Sequence, residues 1–221
     1  SKEVQSQDRW AFGFLLAFLA AIYISPGEWI PGLARFRPAL VLSALATGLM
    51  LLGRLGRREK LWVDGQRGVL LIIFCGLVFA SLSWSLYPAA TQFAAMELLK
   101  WVLLYLTLVN LVTTERRLLW ACLALIVGSL ATSRGVIAWH QAGVDMVEGY
   151  RARWVGVYAD PNRMAMSVGI IVPLAVAFLV RKQSAWLVRL TCGLAAALAI
   201  TAMVLSYSRG GFLGLVAAAG T

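Results

Sequence analysis

Charge is scarce in this sequence. Only 14% of its 221 residues are charged and 61% are apolar, whereas a soluble domain carries about 25% charged and ~45–50% apolar residues. A water-soluble globular domain is excluded on that balance. Apolar segments recur along the whole length, which also excludes a leader peptide ahead of a soluble body. Histidine occurs once and cysteine three times. No Cys-x-x-Cys or Cys/His spacing exists, so neither a disulfide framework nor a metal site is indicated. Cys75, Cys122 and Cys192 each fall in an apolar run, as small buried hydrophobes do. Acidic residues are few, 10 against 20 Lys and Arg. In a soluble protein that excess would point to nucleic acid; here, loops flanking membrane spans and anionic lipid explain it without one. Gly135, Gly143, Gly149 and Gly156 make no glycine-rich phosphate loop after a strand, so no nucleotide cofactor is supported.

What is present is an all-α integral membrane protein, a multi-span helical bundle in a single transmembrane domain over residues 1–221. Apolar runs predict spans at about 10–25, 38–53, 69–86, 91–112, 118–138, 165–180 and 190–207, with an eighth beginning at 212. Pro173 predicts a kink in the sixth. The last run is too short to cross, so the chain reads as the N-terminal portion of a longer protein. Lys and Arg concentrate in the segments on the N-terminal side, above all residues 54–68, which predicts a cytoplasmic N-terminus. The opposite face carries Arg35, Arg37, Arg134, Arg151, Arg153, Arg163 and Arg209 and no lysine. Arginine pairs bidentately with phosphate and carboxylate, so this outer face fits an acidic ligand.

The densest polar stretch is 151–165, RARWVGVYADPNRMA. Asp160 is a good N-cap, Pro161 fits the first helical position, and an apolar run follows. A helix N-terminus favours an anion, and Arg151, Arg153, Arg163 and Asn162 stand beside it. The plainer alternative is that Asp160 supplies the negative charge and the arginines touch lipid headgroups. Segment 206–211, SYSRGG, sets Arg209 at a helix boundary, or merely as a snorkelling side chain beside a glycine turn. Glu97 and Lys100 share a helical face roughly 9 and 14 Å into the fourth span. They are a candidate functional pair, or an ion pair internal to the bundle. His140, beside Trp139, is either a general base or interfacial packing.

Two of these pieces together carry a resemblance. Arg153-Trp-Val-Gly156-Val-Tyr-Ala-Asp160-Pro161-Asn162 resembles the R-x-x-G-x-x-x-(D/N)-P-N signature of the O-antigen ligase and polymerase family. Ser206-Tyr-Ser208-Arg209-Gly210 resembles that family's S-x-S-R-G segment. The resemblance covers about residues 70–221. It implies a metal-independent glycosyltransferase of the bacterial inner membrane, with its active face periplasmic. Such an enzyme moves a glycan from undecaprenyl diphosphate to a hydroxyl of lipid A–core or of another glycan. Arg153 and Arg209 would hold the diphosphate, with Arg151, Arg163, Asp160 and Asn162 around them. The catalytic histidine would lie beyond residue 221, and His140 does not take its place. The alternatives are a polymerase, a transporter or flippase for an anionic lipid-linked glycan, and a scaffold whose arginines bind membrane lipid. If one diphosphate is held, Arg153 and Arg209 must converge.

Overall fold

The computed structural model describes residues 2–30, 32–61 and 65–219. Helices account for 81% of the chain, and no strand occurs among the described residues. In order the helices are α1 (Lys2–Ile24), α2 (Pro26–Trp29), α3 (Pro38–Arg57), α4 (Gly65–Ala80) and α5 (Pro88–Leu111). They continue with α6 (Glu115–Ala142), α7 (Pro161–Val180), α8 (Trp186–Leu205) and α9 (Arg209–Ala219). Among the described residues, five stretches are long and apolar enough to cross a membrane: Leu33–Arg57, Pro88–Leu111, Glu115–Ala142, Pro161–Val180 and Trp186–Leu205. The architecture is all-α and consistent with a membrane protein. The predicted third span is shorter than expected. α4 stops at Ala80 and Ser81–Ser83 turns as a 3-10 helix. Ser81 Oγ donates to the Val78 carbonyl at 2.7 Å, competing with the helix ladder. α1 in turn begins earlier than the apolar run, because its polar first turns contain no helix breaker.

The chain forms two compact units, Ser1–Leu15 with Leu42–Leu118, and Leu16–Val41 with Leu119–Thr221. In the first, basic residues finish helix ends. Arg54 donates to the Lys60 carbonyl at 2.9 Å and to the Asn110 carbonyl at 3.3 Å. Arg117 donates to the Leu111 carbonyl at 2.7 Å. The Asn110 and Leu111 carbonyls are ones the C-terminus of α5 leaves without helical partners. Arg57 bridges Asp8 at 3.2 Å and Glu59 at 2.8 Å.

The second unit is organised on α7 and α8. Met164, Ala165, Val168, Ile171, Ala175 and Phe178 bury one face of α7, and Cys192, Ala195, Ala199, Ala202 and Met203 bury a seam of mostly small residues on α8. Small residues let helices approach closely. The same device brings α6 against α1, where a Cβ on Gly128 would stand 2.7 Å from the Ala20 carbonyl oxygen. α7 runs through Pro173 without interruption. The segment between α6 and α7 folds back onto the unit. Trp154 lies on Gly135, where a Cβ would meet its ring at 2.4 Å, and it packs on Trp139 with centroids 4.6 Å apart. Tyr158 stacks on Tyr23 at 5.9 Å and donates to the Ile22 carbonyl at 3.0 Å. Tyr23 donates to the Ser167 carbonyl at 2.8 Å. These bonds fix the polar segment before its arginines are considered.

Candidate anion-binding site

The first turn of α7 forms as its sequence predicts. Asp160 is the N-cap, and its Oδ1 accepts from the backbone N–H of Asn162 at 3.0 Å and of Arg163 at 2.8 Å. The negative charge at this helix end is therefore the chain's own. The helix N-terminus is spent, and any anion must be held by side chains.

The two sequence segments converge. The Ala152 N–H donates to the Leu205 carbonyl at 2.9 Å, the last residue of α8. Arg151 Nε donates to the Ser206 carbonyl at 3.0 Å, and its Nη2 to Asn162 Oδ1 at 2.8 Å. Arg151 Nη1 lies 3.8 Å from Glu148. One guanidinium thus ties the segment before α7 to the segment before α9. The serines of that second segment are both used. Ser206 Oγ donates to the Met203 carbonyl at 2.6 Å and accepts from the Ser208 N–H at 3.2 Å. Ser208 Oγ accepts from the Gly211 N–H at 3.2 Å and caps α9.

Arg153 and Arg209 are placed differently from each other. Arg153 forms an ion pair with Asp145, donates from Nε to the Asp145 carbonyl at 2.8 Å, and reaches the Ala159 carbonyl at 3.4 Å. Its fork is occupied by its own loop. Arg209 is exposed at the first position of α9 and makes no hydrogen bond or ion pair with another described residue. It borders an open, mostly apolar cavity of ≈ 540 Å³ lined also by Met203, Val204, Tyr207, Phe212 and Leu213. Arg151 is the arginine that shares its surroundings. Tyr150 donates to Glu148 at 3.0 Å, which pushes its phenol above the ordinary tyrosine range, while Arg151 and Arg209 both pull it down. Tyr150 meets Tyr207 edge-on at 5.1 Å.

Arg163 and Asn162 are exposed on the first turn of α7. His140 is half buried in the last turn of α6, and its Nδ1 finds no hydrogen-bond partner among the described residues. Glu97 and Lys100 pair with each other, far along the chain from this cluster. Sequence reasoning passed over Tyr150, Glu148, Tyr207 and Asp145. The only signal for them was two acids between the glycines of 143–149, a segment with positive φ at Gly143, Asp145, Glu148 and Gly149.

Burial drives the Tyr158 phenol above its usual range, and the Tyr23 phenol beside it adds to the shift. Among the described residues no group of three or more His, Cys, Asp or Glu is placed to hold a metal ion. No family model, curated protein or solved structure matches the chain.

Proposed function

We propose that this chain belongs to a membrane glycosyltransferase that passes a glycan from undecaprenyl diphosphate to a sugar hydroxyl, as the O-antigen ligases it resembles do. The observation that carries the reading is Arg209. A guanidinium without a partner among the described residues stands at the edge of an open apolar cavity, and Arg151 fixes the segment that presents it. A lipid diphosphate has the matching chemistry, an apolar chain and a compact anion.

In the transfer, the bond from the anomeric carbon to the diphosphate oxygen breaks and a bond from that carbon to the acceptor oxygen forms. The acceptor proton goes to a base, which the resemblance places outside these residues. Negative charge grows on the departing diphosphate. A fixed guanidinium in a partly dry site stabilises that charge more than water does. Arg209 takes the contact role and Arg151 the positioning role, with Asn162 and the Ser206 carbonyl as its anchors. Arg153 then belongs to the scaffold of the loop, through Asp145.

The test is glycan transfer in membrane vesicles containing the whole protein, with an undecaprenyl-diphosphate glycan as donor and hydroxyl-bearing glycans as acceptors. Arg209→Ala should lower transfer by about 10²-fold or more, the scale of removing one preorganised donor. Full activity in that variant, or no transfer by the wild type with any such acceptor, would overturn the reading.

A further inference from the structure

The proposed function leaves Tyr207 unused, and the backbone conformation of this residue is costly. α8 ends at Leu205 with Ser206 as its C-cap, and Tyr207 follows at φ 51°. That place after a helix is ordinarily taken by glycine, or by asparagine, because a Cβ crowds the left-handed conformation. Tyrosine gains little there by burial, since it stays 59% exposed. The surrounding turn holds it all the same. The Tyr207 N–H donates to the Val204 carbonyl at 3.0 Å, and the carbonyls of Leu205 and Ser206 accept from Ala152 and Arg151. Backbone strain persists where the surroundings over-determine it, and it concentrates at ligand sites.

The ring is braced as well. Tyr150 meets it edge-on, with centroids 5.1 Å apart and planes at 83°. Tyr150 in turn donates to Glu148 at 3.0 Å, and Glu148 lies 3.8 Å from Arg151. All of these residues belong to the second unit. Tyr207 also lines the cavity that Arg209 borders. A fixed, open aromatic ring therefore stands in the same cavity as the guanidinium.

We propose that Tyr207 is the stacking platform for the sugar attached directly to the diphosphate, a role that rests on Arg209 being the diphosphate contact. In such a donor a single oxygen joins the first pyranose to phosphorus. A diphosphate held at Arg209 therefore brings that sugar to the other residues of the cavity. A pyranose ring carries hydroxyls around its rim and a row of slightly positive C–H bonds on its face. An aromatic face is apolar and bears the negative part of the ring quadrupole, so it suits that surface, and the tyrosine hydroxyl suits a wet site. Phe212 lines the cavity too, but from within α9 and without positive φ, and it fits the lipid chain. A sugar whose substituents are equatorial offers the flattest face to Tyr207.

The experiment titrates the whole protein in detergent with two probes, undecaprenyl diphosphate and the same lipid bearing one N-acetylglucosamine. The wild type should bind the sugar-bearing lipid about two- to tenfold more tightly, the scale of one aromatic stacking contact. Tyr207→Asn and Tyr207→Gly should bring that ratio to about one, and Tyr207→Phe should keep it. Both of the first two accept the left-handed backbone, so they should melt within a few degrees of the wild type. Arg209→Ala should weaken both lipids and leave the ratio unchanged. A wild type that binds the two lipids equally would overturn the platform and leave the diphosphate reading standing. So would Tyr207→Asn and Tyr207→Gly chains that keep the ratio, including any that lose both lipids together as a purely structural residue would. A wild type that binds neither lipid would overturn the reading itself and the platform with it.

Discussion

Gly210 and Gly211 are neighbours in the first turn of α9 with opposite surroundings. A Cβ on Gly210 meets nothing within 4 Å, whereas one on Gly211 would stand 2.7 Å from the Cβ of Ala165 on α7. Carbon atoms rest at about 3.5–4.0 Å, so Gly211→Ala must push α9 and α7 apart by roughly 1 Å. Neither methyl has a rotamer to escape into, because both are fixed to backbone. Neither glycine has positive φ, so each accepts alanine conformationally and gains similar helix propensity. The difference between the two variants therefore isolates the contact. Overpacking of this kind costs about 1–3 kcal/mol. At about 2–4 °C per kcal/mol for chains of this size, Gly211→Ala should melt roughly 2–12 °C below Gly210→Ala. Tryptophan fluorescence during heating in detergent reads this directly. The same displacement moves Arg209 away from Arg151, so transfer should fall in Gly211→Ala and persist in Gly210→Ala. If Gly211→Ala melts with or above Gly210→Ala, the close approach of the two segments is wrong.

Asp145→Ala should cause a small loss of melting temperature and Arg153→Ala a larger one, because the arginine also serves the Asp145 and Ala159 carbonyls, and their double variant should lose no more than Arg153→Ala alone. Each single change breaks the same half-exposed pair, which is worth about 0–1 kcal/mol; additive losses would show that the two residues act separately. Gly135→Ala should displace Trp154 from α6 and change its fluorescence, at a cost of about 1–3 kcal/mol. An unchanged spectrum and melting point would count against that packing. Tyr158→Phe loses the hydrogen bond to Ile22, about 1 kcal/mol, and also changes the alkaline limb of stability. Because the folded phenol titrates above its ordinary value of 10.0, its contribution is complete below pH 10 and lost as pH rises beyond it. The wild type should therefore weaken more steeply above that pH than Tyr158→Phe, as measured by urea unfolding at a series of pH values; parallel curves would refute it.

The helices were legible because apolar length and breakers act locally. The run read as 91–112 is α5, Pro88–Leu111, and the run read as 118–138 lies within α6, Glu115–Ala142. Asp160-Pro161 gave the start of α7 to the residue, since a cap and a proline specify a helix start without tertiary help. Which arginine does what was not legible. Arg151 and Arg153 are two apart in a mostly extended segment, so they project to the same side and look equivalent in sequence. Their roles are separated by partners brought from elsewhere, the Ser206 carbonyl for one and Asp145 for the other. The resemblance fell on Arg153, while the contact to the second segment is made by Arg151. Spacing put Glu97 and Lys100 on one helical face, and there they form an ion pair whose side chains stay 40% and 51% exposed.

Three arginines in this chain serve backbone carbonyls at or just past helix C-termini. Arg54 and Arg117 serve carbonyls at the end of α5, and Arg189 Nη2 donates to the Arg181 carbonyl at 2.9 Å, just past α7. Arg209 is the opposite case. It occupies the first position of α9, where the helix dipole is already positive, and Arg151 adds to the field there. A cation at that end costs about 0.3–1 kcal/mol instead of contributing it. Arg117 also stands in a first turn, that of α6, but it serves the Leu111 carbonyl; Arg209 serves no such carbonyl, and a bound anion would supply the missing partner. Arg209→Ala and Arg209→Gln are accordingly expected to melt at the same temperature as the wild type or slightly above it, while losing glycan transfer. Raising the salt concentration should narrow the stability difference, because the unfavourable term is screened. An Arg209→Ala variant that melts several degrees lower would make the arginine part of the scaffold, and its effect on transfer would then carry no information about an anion.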